Sequence, residues 1–351
     1  MNYVALLESC WQEHLQPRAE NAPTVISTFA GAGGSSLGYS MAGFRELLAV
    51  EWDNNAVETF ALNFPDVPIY HGDIAKLSVQ ECLDRAHIQP RELDVFDGSP
   101  PCQGFSTAGK RMIDDPRNQL FREYVRLLRG LQPKVFVMEN VSGMVKGKMK
   151  LVFVEILQEL KASGYQVSAR LLNAMYFNVP QSRERMIFIG VRNDLNIAPS
   201  HPKAESQPIV LREAWRNLHD ESGTAITGKA LILAQRIPQG DSNGGGKYSK
   251  ALNGTTNNFG LTRLGWNRPS FTLPKTTIIS SSILHPDKNE RITISQAKRI
   301  ASFPDNFEMV GAFEDKWARI GNSVPPLFMR SIARHIRREI LDKFQPEIQD
   351  G

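Results

Sequence analysis

The chain is predicted to fold as an α/β protein around a doubly wound, mostly parallel sheet, with a smaller loop-rich domain attached. Three observations predict this. From Thr24 to about Val191, short β-rich apolar runs alternate with helical stretches, which is the pattern of successive βαβ units. A glycine-rich turn, Phe29-Ala30-Gly31-Ala32-Gly33-Gly34, follows the first run and opens a helix. After Val191 the alternation dissolves, and residues 195–280 are rich in Gly, Asn, Ser, Thr and Pro.

Residues 1–23 read as a short amphipathic helix with a Pro-containing lead-in. Val25–Phe29 is the first candidate strand, and the helix Ser35–Ala42 follows its glycine turn. Leu47–Glu51 is an apolar run ending in an acid, and Asn54–Asn63 has helical character. Pro68–His71 and Asp94–Asp97 are short strand candidates, followed by a helical stretch over Arg117–Leu131. Val135–Glu139, a helix over Leu151–Ser163, Val167–Leu172 and Met186–Val191 complete the alternation. Order returns after the loop-rich part with a helix over Ser295–Ser302, Phe303-Pro304, and a long basic helix from about Pro326 to Lys343. No internal repeat is present.

With 351 residues, 41% hydrophobic and 22% charged, the composition is that of an ordinary soluble protein of one large or two unequal domains. No apolar run approaches the roughly 18 residues that span a bilayer, and there is no signal-peptide pattern. Cys10, Cys82 and Cys102 have no metal-ligand spacing and cannot all pair, which predicts a reducing, cytoplasmic location. The net charge is +4, and all of it arises in one segment. Residues 195–290 hold 11 Lys/Arg against 7 Asp/Glu, leaving 30 of each elsewhere. Such a segment permits a polyanion-facing surface, although a charged face is often simply solvated.

The glycine-rich turn lets a ligand approach the backbone, and the following helix N-terminus offers free N–H groups. Glu51 comes 20 residues after Gly31, where an acid can bind both hydroxyls of a ribose. Trp52 is a candidate for stacking on adenine, and Asp73 of His71-Gly72-Asp73-Ile74 for accepting from an exocyclic amine. A bare βα turn is the bland alternative, but the correctly spaced acid favours an adenosine-containing cofactor. The dinucleotide fingerprint wants a third glycine where this chain has Ser36. S-adenosylmethionine, which needs no pyrophosphate cradle, therefore fits better than NAD.

Pro100-Pro101-Cys102-Gln103 follows the fourth strand candidate and puts a thiol at its carboxyl end, where open α/β sheets carry their active sites. Two prolines stiffen that turn ahead of Gly104–Gly109. A rigid nucleophile beside a loop suggests covalent catalysis on an enclosed substrate. A lone cysteine there would ordinarily be a small buried hydrophobe. Its companions change the weighing. Glu139-Asn140-Val141 ends the fifth strand candidate on the same edge, and a carboxylic acid beside a thiolate suits a heteroaromatic ring protonated as sulfur adds to it. Gln181-Ser182-Arg183-Glu184-Arg185 precedes the last strand, and Arg183 and Arg185 share parity, so both are expected to point into one site.

The ordered motifs resemble those of the bacterial-type C5-cytosine DNA methyltransferases over nearly the whole chain after residue 24. The match rests on Phe29 to Gly34, Glu51-Trp52, Gly72-Asp73, Pro100-Pro101-Cys102-Gln103, Glu139-Asn140-Val141, Gln181-x-Arg183-x-Arg185 and Gly321-Asn322-Ser323-Val324-Pro325-Pro326. The resemblance implies a Rossmann-like S-adenosylmethionine-dependent methyltransferase fold, with S-adenosylhomocysteine as product and no metal. It implies that a cytosine is flipped from duplex DNA, that Cys102 adds to C6, that Glu139 engages N3 and the exocyclic amine, and that Arg183, with Arg185, braces the carbonyl oxygen. Phe29, Gly31, Gly33, Gly34, Glu51, Trp52, Asp73, Ile74, Pro100, Asn322 and Ser323 would line the cofactor site. Gln103, Ser106, Lys110, Arg111 and Asn140 would contact DNA, as would the loop to Asn118 with Arg117.

Residues 1–23 are then an N-terminal helical extension and 24–194 the catalytic domain. Residues 195–282 are the target-recognition domain, and 283–351 return to the catalytic domain. Ser270-Phe271-Thr272-Leu273 resembles a short Thr-Leu element of the family, and Arg263, Arg268, Asn257, Asn258 and Lys275 are further candidate base or phosphate contacts. One departure bears on docking: Ser295-Gln296-Ala297-Lys298-Arg299 stands where the family often has Arg-Glu followed by Ala/Cys-x-Arg. Duplex DNA is the expected partner; a cognate restriction endonuclease would share the site without necessarily binding the chain, and the chain is expected to be a monomer. Three rival readings are a tRNA cytosine methyltransferase, disfavoured by the absence of a Cys-Phe-Thr element, a non-catalytic DNA-binding regulator, disfavoured by retention of Cys102, Glu139 and Arg183, and an NAD-dependent oxidoreductase.

Overall fold

A computed structural model describes residues 2–101, 119–145, 149–219, 222–249, 260–277 and 282–344. Its centre is a seven-stranded sheet: β1 (Thr24–Thr28), β2 (Arg45–Glu51), β3 (Ile69–His71), β4 (Val95–Gly98), β5 (Val135–Val141), β6 (Tyr165–Asn173) and β7 (Glu184–Arg192). The strands lie in the order β3-β2-β1-β4-β5-β7-β6. The first five are mutually parallel, whereas β7 runs antiparallel to both β5 and β6. All seven expected strands are present. The last two are longer than their apolar runs because the pairing extends into flanking polar residues, from Tyr165 opposite Arg192 to Asn173 opposite Glu184.

Successive strand residues feed opposite layers, as the two-residue period of a strand requires. Val95, Val135, Val137, Ile187 and Ile189 pack into one core; Phe96, Phe136, Met138, Met186 and Phe188 pack into the other. Helices α4 (Val79–Ala86), α5 (Gln119–Leu131) and α6 (Met149–Ala162) cover the second face. The first face is covered by α1 (Tyr3–Leu15), α2 (Gly34–Met41) and α3 (Asn54–Asn63), together with helices from the C-terminal part. The short charged α4 was not anticipated. Only Cys82, Leu83 and Ala86 of its eight residues are buried, so its apolar signal is brief.

The loop-rich stretch contains α7 (Leu211–Ala214), α8 (Gly228–Ala234) and a two-residue parallel pair, β8 (Thr262–Arg263) with β9 (Ile283–Leu284). Ile226, Ala230, Leu233, Ala234, Ile237, Leu261 and Leu284 form a small cluster of their own there. The chain then returns through α9 (Ile294–Ile300), α10 (Phe313–Asn322) and α11 (Pro326–Glu339). Despite its departure from the family pattern, α9 is firmly seated. Arg299 pairs with Asp305 at 2.5 Å and donates to the Ala214 carbonyl, and the Trp215 indole donates to the Gln296 carbonyl. Helix α1 closes over this junction: the Tyr3 hydroxyl donates to the Arg299 carbonyl, and His14 meets the Ser40 hydroxyl of α2 at 2.8 Å.

Two acids lie buried beneath the glycine-rich turn. Asp97 on β4 accepts from the Tyr39 hydroxyl at 3.2 Å, and Glu46 on β2 accepts from Ser36 at 2.9 Å. Burial, reinforced by the charge of Glu46, pushes the Asp97 carboxyl up to about 8, and burial pushes Glu46 up to about 7. A carboxyl whose folded pKa is raised keeps its proton on folding. Its contribution to stability is therefore complete below its ordinary range, near pH 4, and is lost as pH rises toward 8. Asp97→Asn is expected to flatten this fall and to stabilise the chain at pH 8 by roughly 1–3 kcal/mol. Thermal unfolding of both proteins between pH 6 and 8.5 tests it; parallel curves would refute the assignment.

Candidate active site and cofactor cradle

The carboxyl ends of β1, β2, β3, β4 and β5 share one edge of the sheet, because these strands are parallel. The reversed β7 brings its amino end to that same edge, with Arg185 opposite Val141. One rim thus receives the glycine turn after β1, Glu51-Trp52 at the end of β2, Asp73 after β3, Pro100 after β4, Glu139-Asn140 on β5 and Arg185 on β7.

The cradle is built by close backbone contact. Phe29 adopts a left-handed φ of 56°, an uncommon conformation that turns the chain sharply out of β1. Gly33 caps α2. A Cβ on Gly34 would fall 2.5 Å from the Val324 carbonyl oxygen and 2.9 Å from the Ser323 Cβ, so the Gly321–Pro326 turn rests directly on the glycine turn. Ser323 caps α10 and donates to the Arg319 carbonyl, while Asn322 is exposed beside it. Above Gly31 the space is open. The Glu51 carboxylate accepts from the backbone N–H of Gly31 at 2.7 Å and from those of Trp52 and Asp53 at 2.9 Å each. Three donors orient it, and a carboxylate retains acceptor capacity beyond three bonds. Trp52 is 77% exposed, an unusual state for an indole. Ile74 is buried, and Asp73 caps the turn Ile74–Lys76 through the Ala75 N–H. Open space over a glycine, an oriented carboxylate and a bare indole fit an adenosine-bearing cofactor. If Trp52 supplies the stacking face, Trp52→Ala is expected to weaken binding of S-adenosylhomocysteine about tenfold, read by calorimetry. Unchanged affinity would remove Trp52 from the site.

On the chemical side, Arg185 Nε lies 2.5 Å from Glu139 Oε1, both side chains being largely enclosed. Asn140 donates to the Pro100 carbonyl at 3.1 Å and so ties β5 to the turn after β4. Cys102, Gln103, Ser106, Lys110, Arg111 and Arg117 lie outside the described residues, as do Asn257 and Asn258.

The two arginines part company. Arg183 does not meet Glu139: it is 3% exposed and donates to the carbonyls of Leu273 at 3.2 Å and Gly321 at 2.9 Å. Burial, and then the nearby charge of Arg185, lower its pKa to about 9, with Glu139 opposing.

Arg263 is not a DNA-facing residue. All five of its N–H donors are engaged, reaching Ile237, Ala234, His285, Lys288 and the Asn289 side chain inside the loop-rich part. The Leu273 side chain is likewise buried. Arg268 and Lys275 are exposed, and Arg268 donates to the Gly240 carbonyl. Thr272 is exposed and donates to the Ser182 carbonyl at 2.7 Å. The Arg319–Asp53 ion pair at 3.0 Å, which pins the Glu51-Trp52 loop to α10, was not anticipated. Its only signal was an Arg two residues before Gly321.

A doubly wound sheet that brings a glycine-rich turn, an oriented acid and an enclosed Glu–Arg pair to one rim fits the class of nucleotide-cofactor-dependent transferases. The chain belongs to the C-5 cytosine-specific DNA methylase family, whose model matches residues 23–338; it is a DNA cytosine-5-methyltransferase. It is 33% identical to the type II methyltransferase M1.HphI of Haemophilus parahaemolyticus, over 89% of this chain and 86% of that protein. It is 31% identical to M.NgoPII of Neisseria gonorrhoeae, over 93% and 99% respectively. Among solved structures, a prophage-encoded E. coli protein described as a DNA modification methyltransferase superposes with a TM-score of 0.74 at 25% identity, covering 91% of this chain and all of that one. Spodoptera frugiperda DNMT2 shares the fold, with a TM-score of 0.65 at 18% identity over 88% of this chain and 98% of its own.

Proposed function

We propose that the protein binds duplex DNA as a monomer, flips one cytosine of a specific sequence into the rim, and methylates its C5 through a covalent Cys102–C6 bond. The observation that carries this reading is the Glu139–Arg185 pair, enclosed near the Pro100 turn and on the same rim of the sheet as the glycine turn. Inside a duplex the C5–C6 edge is stacked, so the base must leave the helix to be attacked. The Cys102 thiolate adds to C6 as N3 takes a proton, for which Glu139 is the adjacent acid. Arg185 stabilises the carboxylate whenever that proton has been given up, and it replaces Arg183 as the group that braces the cytosine carbonyl oxygen. Bound S-adenosylmethionine supplies the methyl group to the nucleophilic C5. A base, a bound water being the simplest, then removes the C5 proton. The electron pair returns to the ring and expels the Cys102 thiolate, and N3 gives its proton back to Glu139, leaving neutral 5-methylcytosine and the acid restored.

Phe29, Gly31, Gly33, Gly34, Glu51, Trp52, Asp73, Ile74, Pro100, Asn322 and Ser323 are the residues we assign to the cofactor. Residues 195–282 are read as the target-recognition domain, supported by their separate apolar cluster and by the excess of cations around them. Arg268, Thr272 and Lys275 are their exposed contacts among those expected. Relatives named as type II methyltransferases support a role beside a cognate endonuclease in the cytoplasm of a prokaryote. Incubation with methyl-labelled S-adenosylmethionine and either unmethylated duplex DNA or tRNA tests the substrate. Label is expected in DNA; label in tRNA alone would favour the RNA reading.

A further inference from the structure

Among the described residues Arg183 is a buried cation without a carboxylate within salt-bridge distance, which is expensive unless the charge or its fork of donors is needed. Its Nη1 and Nη2 reach two carbonyls from distant parts of the chain, Leu273 and Gly321, while Nε has no partner. The first carbonyl closes the Ser270–Leu273 element, which is laid along Gln181-Ser182: Ser182 N–H donates to Ser270, and Leu273 N–H to the Gln181 side chain at 3.3 Å. The second opens the turn that rests on Gly34.

The two residues that follow Leu273, Pro274-Lys275, are gripped by α10. The Trp317 indole donates to the Pro274 carbonyl at 2.9 Å. A Cβ on Gly321 would stand 2.2 Å from the Pro274 oxygen and 2.9 Å from the Lys275 Cα, so no side chain separates the two backbones. The far side of that helix end is committed to the cofactor cradle, through Arg319 to Asp53 beside Trp52 and through Ser323 and Val324 to Gly34. Residues 319–324 therefore touch the cradle on one side and the end of the recognition segment on the other.

We infer that Arg183 is a positioning residue that couples target recognition to cofactor binding, by holding Leu273 and Gly321 at a fixed separation. This rests on the function proposed above. DNA seated against the recognition segment then favours the arrangement of the 319–324 turn that closes the cradle, and reciprocity requires the cofactor to favour DNA equally. A lysine retains the buried charge, but its three donors radiate from one nitrogen, so it lacks the planar fork whose separate nitrogens reach the two carbonyls.

The test is the affinity of the full chain for S-adenosylhomocysteine with and without saturating unmethylated plasmid DNA. The wild type is expected to bind it about tenfold more tightly with DNA. In Arg183→Lys that ratio is expected to fall below about two, with DNA-free affinity changed less than about threefold. Trp317→Phe, which loosens the same grip from α10, is expected to lower the ratio in the same direction and serves if the Lys variant does not fold. A structural staple would lower the melting temperature and leave the ratio intact; an intact ratio in the folded variants, or no coupling in the wild type, overturns the inference. A wild type that binds neither DNA nor S-adenosylhomocysteine would instead defeat the proposed function.

Discussion

Cys102→Ser is expected to reduce methyl transfer by at least about four orders of magnitude while leaving DNA affinity within a few-fold of the wild type. Attack on C6 needs an anionic nucleophile. A thiol reaches its thiolate near neutral pH when cations surround it, whereas a serine hydroxyl stays protonated without a strong adjacent base. Arg185 supplies one such cation on the rim that the Pro100-Pro101 turn enters. Duplex DNA carrying 5-fluorocytosine makes the same point covalently. Fluorine cannot leave C5 as the proton does, so the sulfur–C6 bond persists and the complex survives denaturation. Equal trapping by Cys102→Ser would show that another residue is the nucleophile.

Glu139→Gln is expected to cost about 10²–10⁴ in turnover, the usual span for a general acid that protonates the reacting ring. Glutamine keeps an oxygen in place to accept from Arg185 Nε, so the variant should fold and bind DNA nearly as well. Only the transferable proton and the charge are lost. Glu139→Ala is a different experiment, because it strands a largely enclosed guanidinium. It is expected to lower stability as well as rate, by roughly 1–3 kcal/mol. Single-turnover transfer and thermal unfolding of both variants separate chemistry from folding. Wild-type turnover in Glu139→Gln would remove Glu139 from the proton path.

Most of the sheet was legible because buried parallel strands are nearly continuous apolar runs, and the turns after them carry Gly, Pro or an acid. The direction of β7 was not. Nothing local in Met186–Val191 states that it runs against β5, yet that reversal is what puts Arg185 opposite Val141 and within reach of Glu139. Equal parity for Arg183 and Arg185 was visible, but Arg183 finds its partners in carbonyls at residues 273 and 321, 90 and 138 positions away, whereas Arg185 meets Glu139 across the β5–β7 pair. Arg263 was misread for a related reason. In a stretch rich in Asn and Gly an arginine looks exposed, and only the folded loops reveal five acceptors converging on it. Asp97 sits inside an apolar run where its neighbours marked a strand; its buried partners, Tyr39 and Glu46, come from other elements.

The central claim is methylation of C5 of cytosine within one duplex sequence. Bisulfite sequencing of DNA from cells that express the chain, set against cells expressing Cys102→Ser, tests it most directly. The expected result is protection of a single cytosine in every copy of one short sequence, present with the wild type and absent with the variant. Genome-wide conversion of cytosine in both, or protection that survives Cys102→Ser, would contradict it.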